Sequence, residues 1–344
     1  MKALRFLTLI LLLFAVNKGN AQLIWYKQYS GTLDKYPITL HLYKIKNDYH
    51  GYYYYNSREE PIEFSGQLSQ GKVKLAIYTP SDEEESFEGV LTDKAFNGTW
   101  TNTKKRLNFK LTLVPQAEIS FDYVFVTGNK KIKKTDEVER DELLYTASSV
   151  WPAKGDPGNF LKQVIRKEFG EEKDTASIGK ILLRKKNSFL KATGEIDAYE
   201  ETERLEIAYQ DKNILSFSHY NYTDMGGAHG MQGTDYFNVD LQNKRRLALA
   251  DILDTLTIQP FISGILEKYF RQKYKLAQKD PLEETLLVEK IPITDNILVT
   301  GKGINFNYVP YEIGAYAMGD ILIFIPYKEL EGFLKPAFRK LIGL

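Results

Sequence analysis

The chain has 344 residues, with 46 lysines and arginines, 45 aspartates and glutamates and a formal net charge of +1. This balance argues against nucleic acid as a partner and against electrostatic adhesion to membranes. Cysteine is absent, which excludes disulfides and a lipid anchor attached to a cysteine.

The N-terminus has the order of charged, apolar and small residues that is typical of a secretory signal peptide. Lys2 and Arg5 precede an apolar run over 6–16, and Gly19-Asn20-Ala21 precedes Gln22. The run is shorter than the roughly 20 residues that cross a bilayer. We therefore predict a signal peptide over 1–21 and export to the periplasm or beyond, with no transmembrane segment after cleavage. Retention of the peptide as an uncleaved anchor stays open.

Residues 22–115 read as short strands separated by turn residues. In the run 36–43, Ile38, Leu40 and Leu42 alternate with polar and aromatic residues. This two-residue alternation is typical of a β-strand. About eight such strands without a helix predict an antiparallel meander, closed as a small barrel or curled as a sheet. Glycines inside the strands, such as Gly31 and Gly66, predict bends. We expect side chains to fill the interior, although a ligand in the barrel mouth stays open.

Residues 116–344 mix strands and helices without regular alternation, which predicts an α+β domain with a mainly antiparallel sheet and packed helices. Helical spacing is clearest over 159–169 and 258–276, and a final helix over 327–344 is interrupted near Pro336. A less regular helical stretch covers 175–198. The basic run 130–134 is assigned to a solvated loop, because aromatic residues and further basic clusters are missing around it.

Two glycine-rich segments, 226–230 and 310–319, combine polar side chains with a permissive backbone between strand-like runs. They contain the predicted ligand-binding residues, which are Gly226, Gly227, His229, Tyr311, Glu312 and Tyr316. Tyrosine supplies rigid amphipathic area at protein and sugar contacts, although the same residues could simply pin a wide loop.

His229 admits two interpretations besides contact with a ligand. A histidine between flexible residues can act as a general base or a metal ligand. Asp224 and Asp235 are near in sequence and could complete such a site, and Glu312 is a further acid, base or ligand in the enzymatic alternative. It can also be structural and donate to a backbone carbonyl to fix its loop. Only His219 lies nearby, without metal-ligand spacing. The sequence therefore predicts no metal, no cofactor and no catalytic residue.

The second half resembles a known family through an ordered set of motifs. They are the strand run 145–152, the helix 159–169, Gly226-Gly227-Ala228-His229-Gly230, the run 237–241 leading to 247–253, the segment 306–319 and the run 325–330. Over residues 117–344 this order resembles the extracytoplasmic domain of the anti-sigma factor RsiV, which also precedes the catalytic domain of PdaC-type peptidoglycan deacetylases.

The resemblance implies a non-catalytic domain that binds at the cell envelope, and in the anti-sigma factor that domain recognises lysozyme. This sequence resembles neither the sigma-binding segment nor the transmembrane helix of the anti-sigma factor, and it has no region that resembles the deacetylase. We therefore predict an exported binding protein whose partner is a lysozyme-like protein or a glycan such as peptidoglycan. The alternatives are an enzyme acting on envelope polysaccharide, deacetylase or hydrolase-like, with His229 at its site, and a purely structural role.

Overall fold

The computed structural model describes residues 23–77, 84–115, 119–133, 140–154, 158–191 and 198–344. The predicted signal peptide, residues 1–21, lies outside these ranges. The chain divides into two compact units. The first contains the described residues up to 56 together with 61–125 and 151–154, and the second contains 57–60, 126–150 and 155–344.

The first unit is built on a closed barrel of eight antiparallel strands. They are β1 (Ile24–Leu33), β2 (Tyr36–Ile45), β3 (Asp48–Tyr55), β4 (Ile62–Ser69), β5 (Lys72–Ile77), β6 (Glu85–Leu91), β7 (Ala95–Thr101) and β8 (Arg106–Leu113). Each strand pairs with the next, and β1 also pairs with β8, so that Leu33 lies opposite Phe109. The predicted meander is therefore confirmed as a closed barrel, which leaves neither end strand as an open edge.

The barrel interior is packed with aromatic and aliphatic side chains. Ile38, Leu40 and Leu42 of β2 are fully buried in this cluster, as their alternation predicts. The rings of Phe87 and Phe109 meet edge to face with centroids 5.0 Å apart, a favoured geometry for aromatic pairs. This packing agrees with the expectation of a filled interior.

Glycine inside the barrel strands permits a close approach of the neighbouring backbone. At Gly66, a Cβ atom would lie 1.8 Å from the carbonyl oxygen of Lys74, and at Gly31 it would lie 2.0 Å from that of Lys110. No residue with a side chain fits such a position without moving the adjacent strand. The glycines are therefore required by the tight curvature of the small barrel.

A six-stranded sheet follows the barrel in the sequence, in the order β14-β13-β12-β11-β10-β9. Its strands are β9 (Ser120–Lys131), β10 (Glu142–Lys154), β11 (Glu200–Gln210), β12 (Ile214–Asp224), β13 (Met231–Asp240) and β14 (Arg245–Leu247). Lys130 and Lys131 belong to β9, so the assignment of the whole basic run to a loop was wrong. The strand ladder continues past the last apolar residues because backbone hydrogen bonds do not depend on side-chain polarity.

Within this sheet, β10 and β11 run parallel, whereas β11 to β14 pair antiparallel. A parallel pair needs a crossover, and here it contains the helices α1 (Gly158–Glu168) and α2 (Ile178–Leu190). The predicted helix over 159–169 is thereby confirmed. The stretch 175–198 is helical only over 178–190, and residues 192–197 lie outside the described part of the chain.

The remainder of the second unit contains a three-stranded antiparallel sheet and short helices. The strands are β15 (Ile297–Val299), β16 (Gly303–Tyr308) and β17 (Ile321–Pro326). The helices are α3 (Leu249–Ile252), α4 (Thr255–Tyr274), α5 (Tyr327–Leu330) and α6 (Pro336–Ile342), with 3-10 turns at Leu282–Glu284, Tyr316–Met318 and Glu331–Phe333. The predicted α+β class is confirmed. In the described ranges, no helix is long and apolar enough to span a bilayer.

Asparagine side chains join the three-stranded sheet to the six-stranded sheet. Asn238 of β13 donates through Nδ2 to the carbonyl of Ile297 at 2.8 Å and accepts from the N–H of Val299 at 2.9 Å. Asn296, just before β15, accepts in return from the N–H of Tyr236 at 2.8 Å. The side-chain amides thus replace strand pairing between the two sheets. This contact covers the end of the β12–β13 face near Ser216, whose hydroxyl donates to the carbonyl of Val299.

Candidate ligand-binding site

The glycine-rich loop between β12 and β13 is fixed at its start by Asp224. One carboxylate oxygen of Asp224 accepts the N–H of Gly226 at 2.8 Å, and the other accepts from Nη2 of Arg140 at 3.1 Å. Gly226 and Gly227 have φ angles of 90° and 81°, in a region that glycine adopts far more readily than other residues. The loop therefore presents His229 to solvent.

The hydrogen bonds of His229 define its neutral tautomer. Nδ1 lies 2.9 Å from the carbonyl oxygen of Gly230, and because a carbonyl only accepts, Nδ1 carries the proton. Nε2 then accepts from the hydroxyl of Tyr311, 3.4 Å away. The bond to Gly230 is the contact that the structural interpretation of His229 predicts.

The second glycine-rich segment places two tyrosine rings beside His229. The Tyr316 ring stacks on the imidazole with centroids 4.1 Å apart and planes 24° apart. Tyr311 lies 6.4 Å from the imidazole and 5.7 Å from Tyr316. Three predicted residues distant in sequence therefore form one cluster of rings, and Tyr311 is 49% exposed.

Glu312 has a different role in the same segment. Its carboxylate accepts the N–H of Val309 at 3.1 Å, which closes the turn 309–312 that contains Tyr311. Tyr311 adopts a φ of 72°, which is uncommon for a residue with a side chain, and its N–H donates to the carbonyl of Gly314 at 2.9 Å. Glu312 thus supports the turn that holds Tyr311 and does not join the ring cluster.

The structure adds Tyr220 and Tyr222 of β12, which sequence reasoning missed. The Tyr222 ring lies against Gly230, where a Cβ atom would be 2.6 Å from two ring carbons. Burial raises the pKa of Tyr220, the nearby charge of Arg204 lowers it, and Tyr316 and Asp320 raise it by smaller amounts. We call the rings of Tyr220, Tyr222, His229, Tyr311 and Tyr316 the aromatic surface.

A signal for the two added tyrosines was present in the sequence. Ser218, Tyr220 and Tyr222 alternate along β12 and share one face. His219 points to the other face, where its ring lies 5.4 Å from that of Phe169. Two exposed methionines, Met225 and Met231, flank the loop, with 61% and 41% of their surface accessible. The loop and β12 together provide an open, mainly aromatic face.

Asp224 and Glu312, which could act with His229 in an enzyme, both make other contacts. Asp224 pairs with Arg140 and Glu312 caps its turn. Neither forms a hydrogen bond with His229 in the part of the chain that the structure describes. Within those same ranges, no group of three histidine, aspartate or glutamate side chains is placed to hold a metal ion.

Fold and site together define a two-unit α+β protein with an exposed aromatic surface on its second unit. Residues 250–328 match the family described as "Protein of unknown function (DUF3298)". The comparison with curated proteins found no match.

Two solved structures share the fold. A DUF3298 family member from Bacteroides fragilis has 22% identity and a TM-score of 0.55, over 66% of this chain and 98% of its own. A DUF3298 family protein from Pseudomonas aeruginosa PAO1 has 20% identity and a TM-score of 0.50, over 64% of this chain and 97% of its own. Most of this chain therefore has a fold that is also found in DUF3298 proteins.

Proposed function

We propose that the protein is an exported, non-catalytic binding protein of the bacterial cell envelope, and that its aromatic surface holds a cell-wall glycan or a lysozyme-like protein. One observation carries the proposal, namely that His229 stacks on Tyr316 at 4.1 Å although the histidine itself is exposed to solvent. A ring cluster held in place yet open to solvent is suited to contact with a ligand.

The chemistry of the aromatic surface favours a saccharide. Tyrosine and neutral histidine rings offer flat apolar faces to the C–H groups of a sugar, and their polar edges can bond to hydroxyls. The Tyr311 hydroxyl and His229 already form one such polar edge. The flanking methionines extend the apolar area with side chains that adapt to irregular shapes.

A lysozyme-like partner is supported by the sequence resemblance and by the composition of the surface. Tyrosine is frequent among the residues that dominate protein interfaces. Export is supported by the charged, apolar and small-residue order of the first 21 residues.

The test is a calorimetric titration of residues 22–344 with soluble peptidoglycan fragments and, separately, with a C-type lysozyme, at low and moderate salt. We expect binding of one of them to survive moderate salt, since the surface is mainly uncharged. Tyr316→Ala should weaken that binding at least ten-fold, because it removes the ring that stacks on His229. Tyr36→Ala, at a tyrosine of β2 that is 47% exposed, is the matched control and should bind normally. Absence of binding to both partners would contradict the proposal.

The enzymatic alternative has one observation in its favour. The neutral tautomer of His229 leaves Nε2 as a basic nitrogen at an exposed site, and such a nitrogen can accept a proton. His229→Ala separates the two functions. Under the alternative it abolishes turnover of envelope polysaccharide, whereas under the binding proposal no turnover occurs in the unsubstituted protein.

A further inference from the structure

We propose that the second unit binds a saccharide that carries a carboxylate, with Arg204 holding the carboxylate and the aromatic surface holding the sugar ring. This inference rests on the proposed function, because it specifies the ligand of the same surface. The observation behind it is a half-buried arginine without an anionic partner.

Arg204 lies on β11 with its guanidinium 4.4 Å from the centroid of the Tyr220 ring. Its Nε is buried and has no acceptor, and no ion pair links the side chain to a carboxylate within the described ranges. A guanidinium keeps its charge at any physiological pH and presents five N–H donors. Because burial of an unpaired charge is costly, an anionic ligand group would complete this site.

The guanidinium and the rings lie on one continuous face. Arg204 is directly opposite Tyr220 in the β11–β12 register, and Tyr222 follows roughly 7 Å further along the same face. The Tyr222 ring lies against Gly230, whose neighbour His229 stacks on Tyr316. A ligand seated on the rings can therefore extend an acidic group toward Arg204.

The surrounding charges favour a single carboxylate over a polyanion. Burial raises the pKa of the Tyr220 phenol most, Arg204 lowers it, and Asp320 raises it by a smaller amount. Burial, followed by Glu200 and Asp224, raises the pKa of the Tyr222 phenol. These acidic groups would repel a ligand with several charges. One carboxylate, in contrast, can take two parallel hydrogen bonds from the guanidinium.

The test uses two pairs of sugars that differ in an acidic group, titrated into residues 22–344 and followed by NMR. Glucuronic acid is compared with glucose, and N-acetylmuramic acid with N-acetylglucosamine. We expect at least one acidic sugar to bind about ten-fold more tightly than its neutral counterpart, the usual effect of a hydrogen bond to a charged group. The pair that shows the preference distinguishes a uronic acid from a muramic acid source.

Three variants test whether Arg204 causes the preference for the acidic sugar. Arg204→Gln should lower the affinity for the acidic sugar to the affinity that the unsubstituted protein has for the neutral sugar. Arg204→Lys keeps the positive charge but cannot form two parallel hydrogen bonds to a carboxylate, so it should retain only part of the preference for the acidic sugar. Arg106→Gln, at an exposed arginine of β8, is the control and should retain all of it.

Several outcomes would overturn the inference. Suppose that acidic and neutral sugars bind equally well and that Tyr316→Ala weakens the binding of both. This result would refute the role of Arg204 and leave the proposed function intact. An acidic preference that persists in Arg204→Gln, with only a lower melting temperature, would show that the arginine merely supports Tyr220. If no sugar binds, both this inference and the saccharide form of the proposed function fail.

Discussion

The backbone of Gly230 lies so close to the ring of Tyr222 that a Cβ atom on the glycine would be 2.6 Å from two ring carbons. The contact joins the glycine-rich loop to β12 and sets the position of His229 beside the β12 tyrosines. Because Tyr222 is only partly buried, its ring can rotate toward solvent when this space is filled.

Gly230→Ala should displace the Tyr222 ring at a cost of about 1 kcal/mol in the free energy of unfolding. Burial, followed by the charges of Glu200 and Asp224, raises the pKa of Tyr222, so the displaced phenol should titrate nearer its ordinary value. An NMR titration of the ring resonances measures the change.

Gly227→Ala is the matched control for this substitution. No atom lies within 4 Å of the added Cβ, but φ is 81°, so the cost is again about 1 kcal/mol. Its Tyr222 should titrate as in the unsubstituted protein. An unchanged Tyr222 titration in Gly230→Ala would contradict the role of this contact.

Gly66→Ala should destabilise the barrel by about 3 kcal/mol or more, because the new Cβ would lie 1.8 Å from the backbone oxygen of Lys74. Backbone atoms of a paired strand cannot move aside as a side chain does. Gly71→Asn, in the neighbouring turn at a φ of 77° with open space around it, should cost less than about 1 kcal/mol. Urea unfolding measures both, and similar losses for the two variants would refute the close-approach argument.

Asn238→Leu should lower the free energy of unfolding by about 2–6 kcal/mol. The substitution leaves the carbonyl of Ile297 and the N–H of Val299 without partners in a buried place, at about 1–3 kcal/mol for each group. Asn187→Ala, at an exposed residue of α2, should change it by at most about 0.5 kcal/mol. Thermal or urea unfolding that ranks the two variants equally would argue against a structural role for the asparagine bridge.

His41 should make the protein less stable as the pH falls below neutral. Its buried imidazole lies 4.7 Å from the Tyr52 ring, and Nδ1 lies 2.9 Å from the Tyr26 hydroxyl. Burial lowers the pKa of His41 to about 3, so the unfolded chain takes up a proton below about pH 6.5 while the folded protein does not. Stability is therefore fully present above that pH and decreases between it and about pH 3.

Between pH 7 and pH 5 this effect amounts to about 2 kcal/mol. His41→Phe keeps the stacked ring and removes the titrating group, so its stability should change less over the same range. Urea unfolding at several pH values measures the free energy of unfolding of both proteins. The carboxylates are common to both, so their contribution cancels when the two pH dependences are subtracted. Identical pH dependence in the two proteins would show that His41 does not titrate as described.

The local pattern of the chain was sufficient for much of the fold. The alternation of Ile38, Leu40 and Leu42 predicted the core face of β2, because a strand points successive side chains to opposite sides. Turn residues separated the eight barrel strands, and the helical spacing over 159–169 predicted α1. The burial of His41, on the other face of β2, could not be predicted in this way. Alternation along a strand shows which side chains share a face, but it does not show what covers that face.

For the candidate site, residue types were enough to find the two flexible segments and their chemistry, because glycine permits positive φ angles and tyrosine and histidine carry recognisable side chains. The stacking of His229 with Tyr316 and the face shared by Arg204, Tyr220 and Tyr222 became visible only in the folded protein. The same holds for the turn that Glu312 closes. Strand register and the asparagine contacts between the two sheets place His229 beside Tyr311 and Tyr316, which come 82 and 87 positions later, and no local pattern encodes such separations.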